Sequence, residues 1–219
     1  MSDAIDRVCA TRLYLVLEAS VRGRPATEIV KPALDGGVDV VQLRDKSADD
    51  PEIITAGTEL RALCHERGSL FLVNDRPDLA LRCGADGVHL GQDDEEVEQV
   101  RDRVGDRLLI GLSTHSREQI EAAERSSADY FVVGPVHETP TKPGRPAVGL
   151  ELVRFAAGRQ GKPWFAIGGI DPGNACAVVA AGAPRLVVVR AIRDADDPAA
   201  AARALRPAIE REAVVGTAR

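Results

Sequence analysis

Eight short apolar runs recur along this chain, each followed by a polar loop and a longer amphipathic stretch, and that alternation limits the folds open to it. The runs cover residues 13–17, 38–43, 70–73, 87–90, 108–112, 130–133, 164–167 and 186–189. Several are apolar throughout rather than at every second position. Strands buried on both faces of a parallel sheet read this way. Helix signals lie between the runs. Asp50-Pro51, Asp171-Pro172 and Asp197-Pro198 each set a capping carboxylate before a proline suited to the first helical turn. Ser116 with Gln119 reads as a capping box. Gly36, Gly68, Gly84 and Gly182 read as helix stops, and Pro32 should kink the first helix. Eight strand–helix units in 219 residues predict an α/β fold, a single-domain (β/α)8 TIM barrel over about residues 12–213, with Val215 to Arg219 frayed. A doubly wound open sheet is the main rival.

Charge and composition narrow the function. The formal net charge is −6 and aromatic residues make up 3%. General binding to nucleic acid or anionic membranes needs surplus Lys and Arg, and single-strand binders need stacking platforms. Both classes are therefore disfavoured, whereas small anionic ligands remain open to a local cluster of cations. The first ten residues, MSDAIDRVCA, are unlike a signal peptide, and no run approaches the roughly 18 apolar residues of a membrane span. Cys9, Cys64, Cys83 and Cys176 lack metal-ligand or redox spacing, so reduced, mostly buried cysteines are expected. A cytoplasmic location follows, and a homo-oligomer is left open.

In a barrel the loops after the strands build the active site. The second run ends in Gln42-Leu43-Arg44-Asp45-Lys46. Alternation sends Gln42, Arg44 and Lys46 to one side, a set suited to a phosphate or diphosphate. The alternative is a solvated strand end with a surface Arg44–Asp45 pair. The third run ends in Asn74-Asp75-Arg76, and the fourth is followed by Gly91-Gln92-Asp93-Asp94. Two carboxylates from neighbouring loops could hold Mg²⁺ together with phosphate oxygens. Alone, Asp75 reads as well as a helix cap and Asp94 as an exposed acid. After the fifth run, Ser113 could donate to a phosphate, or Ser113 and Thr114 could simply start a helix. The sixth leads into a Pro- and Gly-rich loop with Thr139, Thr141, Lys142 and Arg145, either an anion clamp or a plain surface loop. Gly168 and Gly169 after the seventh run let backbone N–H groups approach a phosphate, and Arg190 after the eighth adds a cation. His89 reads as a hydrogen-bonded strand residue and His65 as helix surface, while His115 and His137 lie at the rim. No zinc spacing or serine-nucleophile elbow is present in the sequence.

Taken in order, Gln42-Leu43-Arg44-Asp45-Lys46, Val73-Asn74-Asp75-Arg76, the run 84–94, Gly111-Leu112-Ser113-Thr114-His115, Thr139-Pro140-Thr141-Lys142 and Ala166-Ile167-Gly168-Gly169-Ile170 resemble the thiamine-phosphate synthase family over nearly the whole chain. The resemblance implies a transferase that joins 4-amino-2-methyl-5-hydroxymethylpyrimidine diphosphate to 4-methyl-5-(2-hydroxyethyl)thiazole phosphate, releasing diphosphate. It implies Mg²⁺ on Asp75 and Asp94. Gln42, Arg44, Lys46, Asn74, Ser113 and Lys142 would hold the pyrimidine diphosphate. Thr139, Thr141, Gly169, Val189 and Arg190 would hold the thiazole phosphate. Arg44, Lys46, Ser113 and Lys142 would carry the chemistry, with diphosphate leaving before the thiazole attacks. The family often has Ser where this chain has Arg190. Two rivals are a thiazole tautomerase of the same fold and a phosphate-sensing barrel without turnover. The tautomerase would not need two metal carboxylates or the Thr-x-Thr-Lys segment, and the metal pair with a second anion site argues against the sensing barrel.

Overall fold

The computed structural model describes residues 3–139 and 146–215. The apolar runs form eight parallel strands: β1 (Leu13–Leu17), β2 (Val40–Leu43), β3 (Leu70–Asn74), β4 (Gly87–Leu90), β5 (Leu109–Thr114), β6 (Tyr130–Val133), β7 (Trp164–Ile167) and β8 (Leu186–Val188). Each pairs with the next, and β8 returns to β1 with Leu186 opposite Leu13, which closes the sheet into a barrel. Closure excludes the open-sheet alternative. Helix α1 (Asp3–Ala10) precedes β1. Helices α2 (Ala26–Asp35), α3 (Asp50–Glu66), α4 (Pro77–Cys83), α5 (Val97–Val104), α6 (Arg117–Arg125), α7 (Gly149–Ala157) and α8 (Ala175–Ala180) connect successive strands, and α9 (Arg190–Arg193) and α10 (Pro198–Val215) follow β8. Among the described residues no helix is long and apolar enough to cross a membrane.

Two-residue periodicity divides the apolar side chains into two cores. Leu13, Leu15 and Leu17 face outward and pack with helix residues such as Ile29, Leu60 and Leu205. Tyr14 and Val16 face the lumen, where they meet Val40, Leu72, Leu109, Tyr130, Phe165 and Val187. Val8 joins this inner group, so α1 plugs the barrel end where the strands begin. Tyr14 and Tyr130 meet Phe165 edge-on, with centroids 5.4 and 5.6 Å away. Each such pair is worth about 0.5–1.5 kcal/mol beyond burial.

Several punctuation signals act one residue away from their expected place. Asp49, not Asp50, caps α3: its carboxylate accepts from the Glu52 N–H, while Glu52 accepts from the Asp49 N–H. Asp50 instead takes both terminal nitrogens of Arg76 at 3.0 and 3.1 Å. Ser116 caps α6 by accepting from the Gln119 N–H, but the Gln119 side chain reaches the His115 N–H rather than that of Ser116. Asp171 closes a turn by accepting from the Gly173 and Asn174 N–H groups, so regular helix begins only at Ala175. Asp197 does cap α10, through the Ala200 N–H. Gly68, Gly84 and Gly182 have positive φ as expected of helix stops, while Gly36 is right-handed and Gly37 makes the left-handed turn. Pro32 sits within α2, which continues to Asp35. Cys64 and Cys83 are buried, Cys9 is partly exposed and Cys176 is exposed; all four are free thiols. Of the tail expected to fray, residues 216–219 lie outside the described residues.

Candidate active site

The same periodicity carries polar groups up the lumen to the end where the strands finish. Gln42, Asn74, His89 and Ser113 come from the adjacent strands β2 to β5. Val16, Val132, Ile167 and Val187 come from the other half of the barrel. All eight line one cavity of about 380 Å³, which therefore has a polar wall and an apolar wall. An aromatic ring bearing a charged substituent fits such a division.

Arg44, Thr139, Gly169, Val189 and Arg190 also line this cavity, together with His115. Lys46 does not line it. Lys46 is exposed on the loop after β2, yet its charge bears on both Asp75 and Asp94. Ser113 and Thr114 lie within β5 and do not start a helix. Thr114 points away from the lumen and donates to the Val132 carbonyl. Thr141 and Lys142 lie outside the described residues, as does most of the 139–145 loop. His137 is half-buried beside Gly169 and is absent from the cavity wall.

The Arg44–Asp45 surface pair is not what forms. The Asp45 carboxylate accepts from the Ala19, Ser47 and Ala48 N–H groups and from the Ser47 hydroxyl, tying down the loop. Burial works against its ionisation, but these donors outweigh burial and hold its pKa below the usual carboxylate value. Arg44 is left to act on the cavity and on Asp75.

Asp75 follows β3 in a left-handed conformation, φ 63°, with its N–H bonded to the His89 carbonyl. Non-glycine residues adopt this region only where surrounding structure enforces it. Its carboxyl meets that of Asp94, whose other anchor is the Gly91 N–H at 2.6 Å. Burial pushes the Asp75 carboxyl from its ordinary 3.8 up to about 6, and Asp94 adds to the rise while Arg44 and Lys46 oppose it. For Asp94, burial is overturned by the bond from Asp75, the Gly91 N–H and the Lys46 charge, so its pKa falls below the usual value. The pair thus keeps a proton up to about pH 6, well above the ordinary carboxylate range.

The folded chain holds the Asp75 proton more tightly than the unfolded chain does. Ionised Asp75 therefore costs folding free energy above about pH 6, and the cost fades as pH falls toward 3.8. Asp75→Asn should raise the melting temperature of the metal-free protein at pH 8 by about 2–4 °C, corresponding to about 1 kcal/mol for a half-exposed group. At pH 4 the gain should vanish. Equal shifts at both pH values in a thermal melt would contradict the shared proton.

The opposite rim is built by close backbone approach. Gly168 and Gly169 have φ of 113° and 61°. A Cβ on Gly168 would lie 2.4 Å from Pro135 Cα, and one on Gly169 would lie 2.8 Å from His137 Cβ. Only glycine lets these strands and loops meet, and the carbonyls of Gly168 and Gly169 accept from the His137 N–H and the Asn174 amide. Arg190 is exposed at this rim near Asp194, whose pKa is lowered mainly by Arg193, with Arg22 and Arg190 contributing less. Arg190 thus already has a carboxylate within electrostatic reach. Arg190→Ser should change KM for a phosphorylated acceptor less than about threefold, since exposed ion pairs are worth little. A rise above tenfold in steady-state kinetics would show that its guanidinium holds the ligand.

Sequence reasoning did not assign Tyr14, Val16, Val132, Ile167, Asp171 or Asp194 to the site, and read Asp171 only as a helix cap, yet all six line the cavity. The signal for the first four was the strand parity already applied to Gln42. Among the described residues no group of three or more His, Cys, Asp or Glu could hold a metal. The Asp75–Asp94 pair alone suits a cation that keeps water and phosphate in its shell.

The family model for thiamine monophosphate synthase matches residues 13–192. The chain is 52% identical to a thiamine-phosphate synthase of Saccharopolyspora erythraea, over 89% of this chain and 91% of that one. It is also 52% identical to one from Thermus thermophilus, over 89% and 95%. A solved thiamine phosphate pyrophosphorylase from Pyrococcus furiosus superposes with a TM-score of 0.86 at 34% identity, covering 95% of this chain and 98% of that one.

Proposed function

The chain belongs to the thiamine monophosphate synthase family, and on that premise we propose how its barrel mouth performs the reaction. Its activity is that of a thiamine-phosphate synthase, a transferase of thiamine biosynthesis. The substrates on this reading are 4-amino-2-methyl-5-hydroxymethylpyrimidine diphosphate and 4-methyl-5-(2-hydroxyethyl)thiazole phosphate, and a cytoplasmic location fits them. The observation that carries the proposal is the contact between Asp75 and Asp94 within electrostatic reach of Arg44 and Lys46, beside a cavity with one polar and one apolar wall.

The pyrimidine ring fits between the walls, with its diphosphate directed to Gln42, Arg44, Lys46, Asn74, Ser113 and Lys142. Gly169, Val189 and Thr139 across the mouth, with Thr141 and the backbone of Arg190, hold the thiazole phosphate. Two carboxylates held against each other, each raising the cost of ionising its neighbour, form a donor set that a divalent cation would neutralise, so Asp75 and Asp94 fit Mg²⁺. When bound, the cation supplies Lewis-acid stabilisation of charge on the diphosphate.

Arg44, Lys46 and Lys142 stabilise the charge that grows as the carbon–oxygen bond to diphosphate breaks. The amino-substituted pyrimidine bears the resulting methylene cation. The thiazole nitrogen then donates its electron pair to that carbon, forming the carbon–nitrogen bond of thiamine phosphate. No general base is required, because the attacking nitrogen carries no proton. The apolar wall of Val16, Val132 and Ile167 keeps water from capturing the cation. Incubating the protein with both substrates and Mg²⁺ should yield one diphosphate and one thiamine phosphate per turnover by mass spectrometry. Accumulation of the hydroxymethylpyrimidine alcohol, or of an isomerised thiazole alone, would contradict the assignment.

A further inference from the structure

Along the cavity floor a line of buried polar side chains crosses the lumen from β2 to β5. Gln42 Nε2 donates to Tyr14 Oη at 2.6 Å, Tyr14 Oη lies 3.4 Å from Tyr130 Oη, Tyr130 Oη lies 3.2 Å from His89 Nδ1, and His89 Nε2 lies 2.9 Å from Ser113 Oγ. All five residues are at least nine-tenths buried. Tyr130 does not line the cavity, whereas the other four do. The two ends, Gln42 and Ser113, are both assigned to the pyrimidine diphosphate above.

The chemistry of the end groups gives the line a direction. An amide nitrogen only donates, so Tyr14 accepts from Gln42 and its own proton is turned onward to Tyr130. Tyr130 then accepts from Tyr14 and donates to His89 Nδ1. With Nδ1 accepting, neutral His89 carries its proton on Nε2 and donates to Ser113 Oγ. The Ser113 oxygen is thereby occupied as an acceptor toward His89, and its hydroxyl proton is turned to the cavity. Both phenols stay protonated, because burial raises their pKa values. Space for the central link comes from Gly111: a Cβ there would lie 2.3 Å from Tyr130 Oη and 2.6 Å from His89 Nδ1. Gln92 holds the Ser113 backbone by donating to its carbonyl at 2.6 Å.

We propose that Tyr14, Tyr130 and His89 are positioning residues that pass the donor polarity of the Gln42 amide across the barrel and preset the Ser113 hydroxyl as a donor to the diphosphate. An anion meets a donor that needs no reorientation, which is the condition under which such a bond contributes most to the transition state. The inference rests on the assignment of Ser113 to the diphosphate, and its test keeps the two apart.

Tyr130→Phe keeps the ring and its packing on Phe165 but cuts the line. It is expected to lower kcat/KM for the pyrimidine diphosphate by roughly three- to tenfold, the scale of one misdirected hydrogen bond. In a Ser113→Ala background the same change should have no further effect, because no hydroxyl remains to be aimed. Tyr14→Phe, which cuts the line one link earlier, should repeat the pattern. Thermal melts on all variants identify any that fail to fold. If Tyr130→Phe costs the same factor with and without Ser113, or costs nothing with Ser113 present, the relay is overturned while Ser113 keeps its role. If Ser113→Ala alone leaves kcat/KM unchanged, the diphosphate assignment falls and takes the relay with it.

Discussion

Replacing Asp94 by alanine is expected to lower turnover by about 10³-fold, the consequence of losing several kcal/mol of metal-derived charge stabilisation. Two features make the effect interpretable. Asp94 lies in the loop between β4 and α5, outside both apolar cores, so the barrel should keep its circular dichroism. Its carboxylate has two separable tasks: it accepts from the Gly91 N–H and it meets Asp75. Asp94→Asn retains an acceptor for Gly91 while removing the charge. A loss through loop collapse would be repaired in Asp94→Asn, whereas a loss through the cation would not. Comparable, severe losses in both variants, with the Mg²⁺ concentration for half-maximal rate displaced upward, are the expected result. Undiminished magnesium-dependent turnover in folded Asp94→Ala would remove Asp94 from the metal site.

Arg44→Ala should cost about 10²-fold in kcat/KM for the pyrimidine diphosphate, the scale for removing one donor from developing negative charge. Since Asp45 is engaged with loop N–H groups, Arg44 contributes to the cavity and to Asp75 rather than to a surface pair. Its removal should also push the Asp75 carboxyl further up, because Arg44 is one of the two cations that hold it down. The variant's activity should therefore fall away at a higher pH than that of the parent as the solution is acidified. Arg44→Lys should recover only part of the loss, since a point charge lacks the planar fork. Unchanged kcat/KM in Arg44→Ala, measured at saturating thiazole phosphate, would contradict this role.

The fold was legible because the buried runs carry their own length and spacing, and continuous apolarity at positions such as residues 130–133 has few other physical explanations. Local punctuation was less legible. Asp49 and Asp50 are equally good caps in sequence, and the choice fell to Asp49 because Asp50 is drawn to Arg76, 26 residues away. The alternative that paired Asp45 with its neighbour Arg44 failed because nearby N–H groups competed more effectively for the carboxylate. The polar wall was visible as Gln42, Arg44, Asn74 and Ser113 at strand ends. Its dependence on Tyr14 and Tyr130 was hidden, because those residues read as core until the closed barrel brings β1 and β6 to one lumen, whereas His89 already read as a hydrogen-bonded strand residue. Lys46 shows the limit of strand parity: alternation stops where β2 ends at Leu43, and Lys46 acts from the loop.

The most direct measurement of the central claim is single-turnover release of diphosphate from the pyrimidine substrate, with thiazole phosphate bound, across a Mg²⁺ titration. Charge drawn onto the departing diphosphate by the cation and by Arg44, Lys46 and Lys142 predicts negligible release in excess chelator. It also predicts saturable recovery with Mg²⁺, and loss of that recovery in Asp75→Asn and Asp94→Asn. Full-rate release in chelator, or recovery in the variants equal to that of the parent, would contradict it.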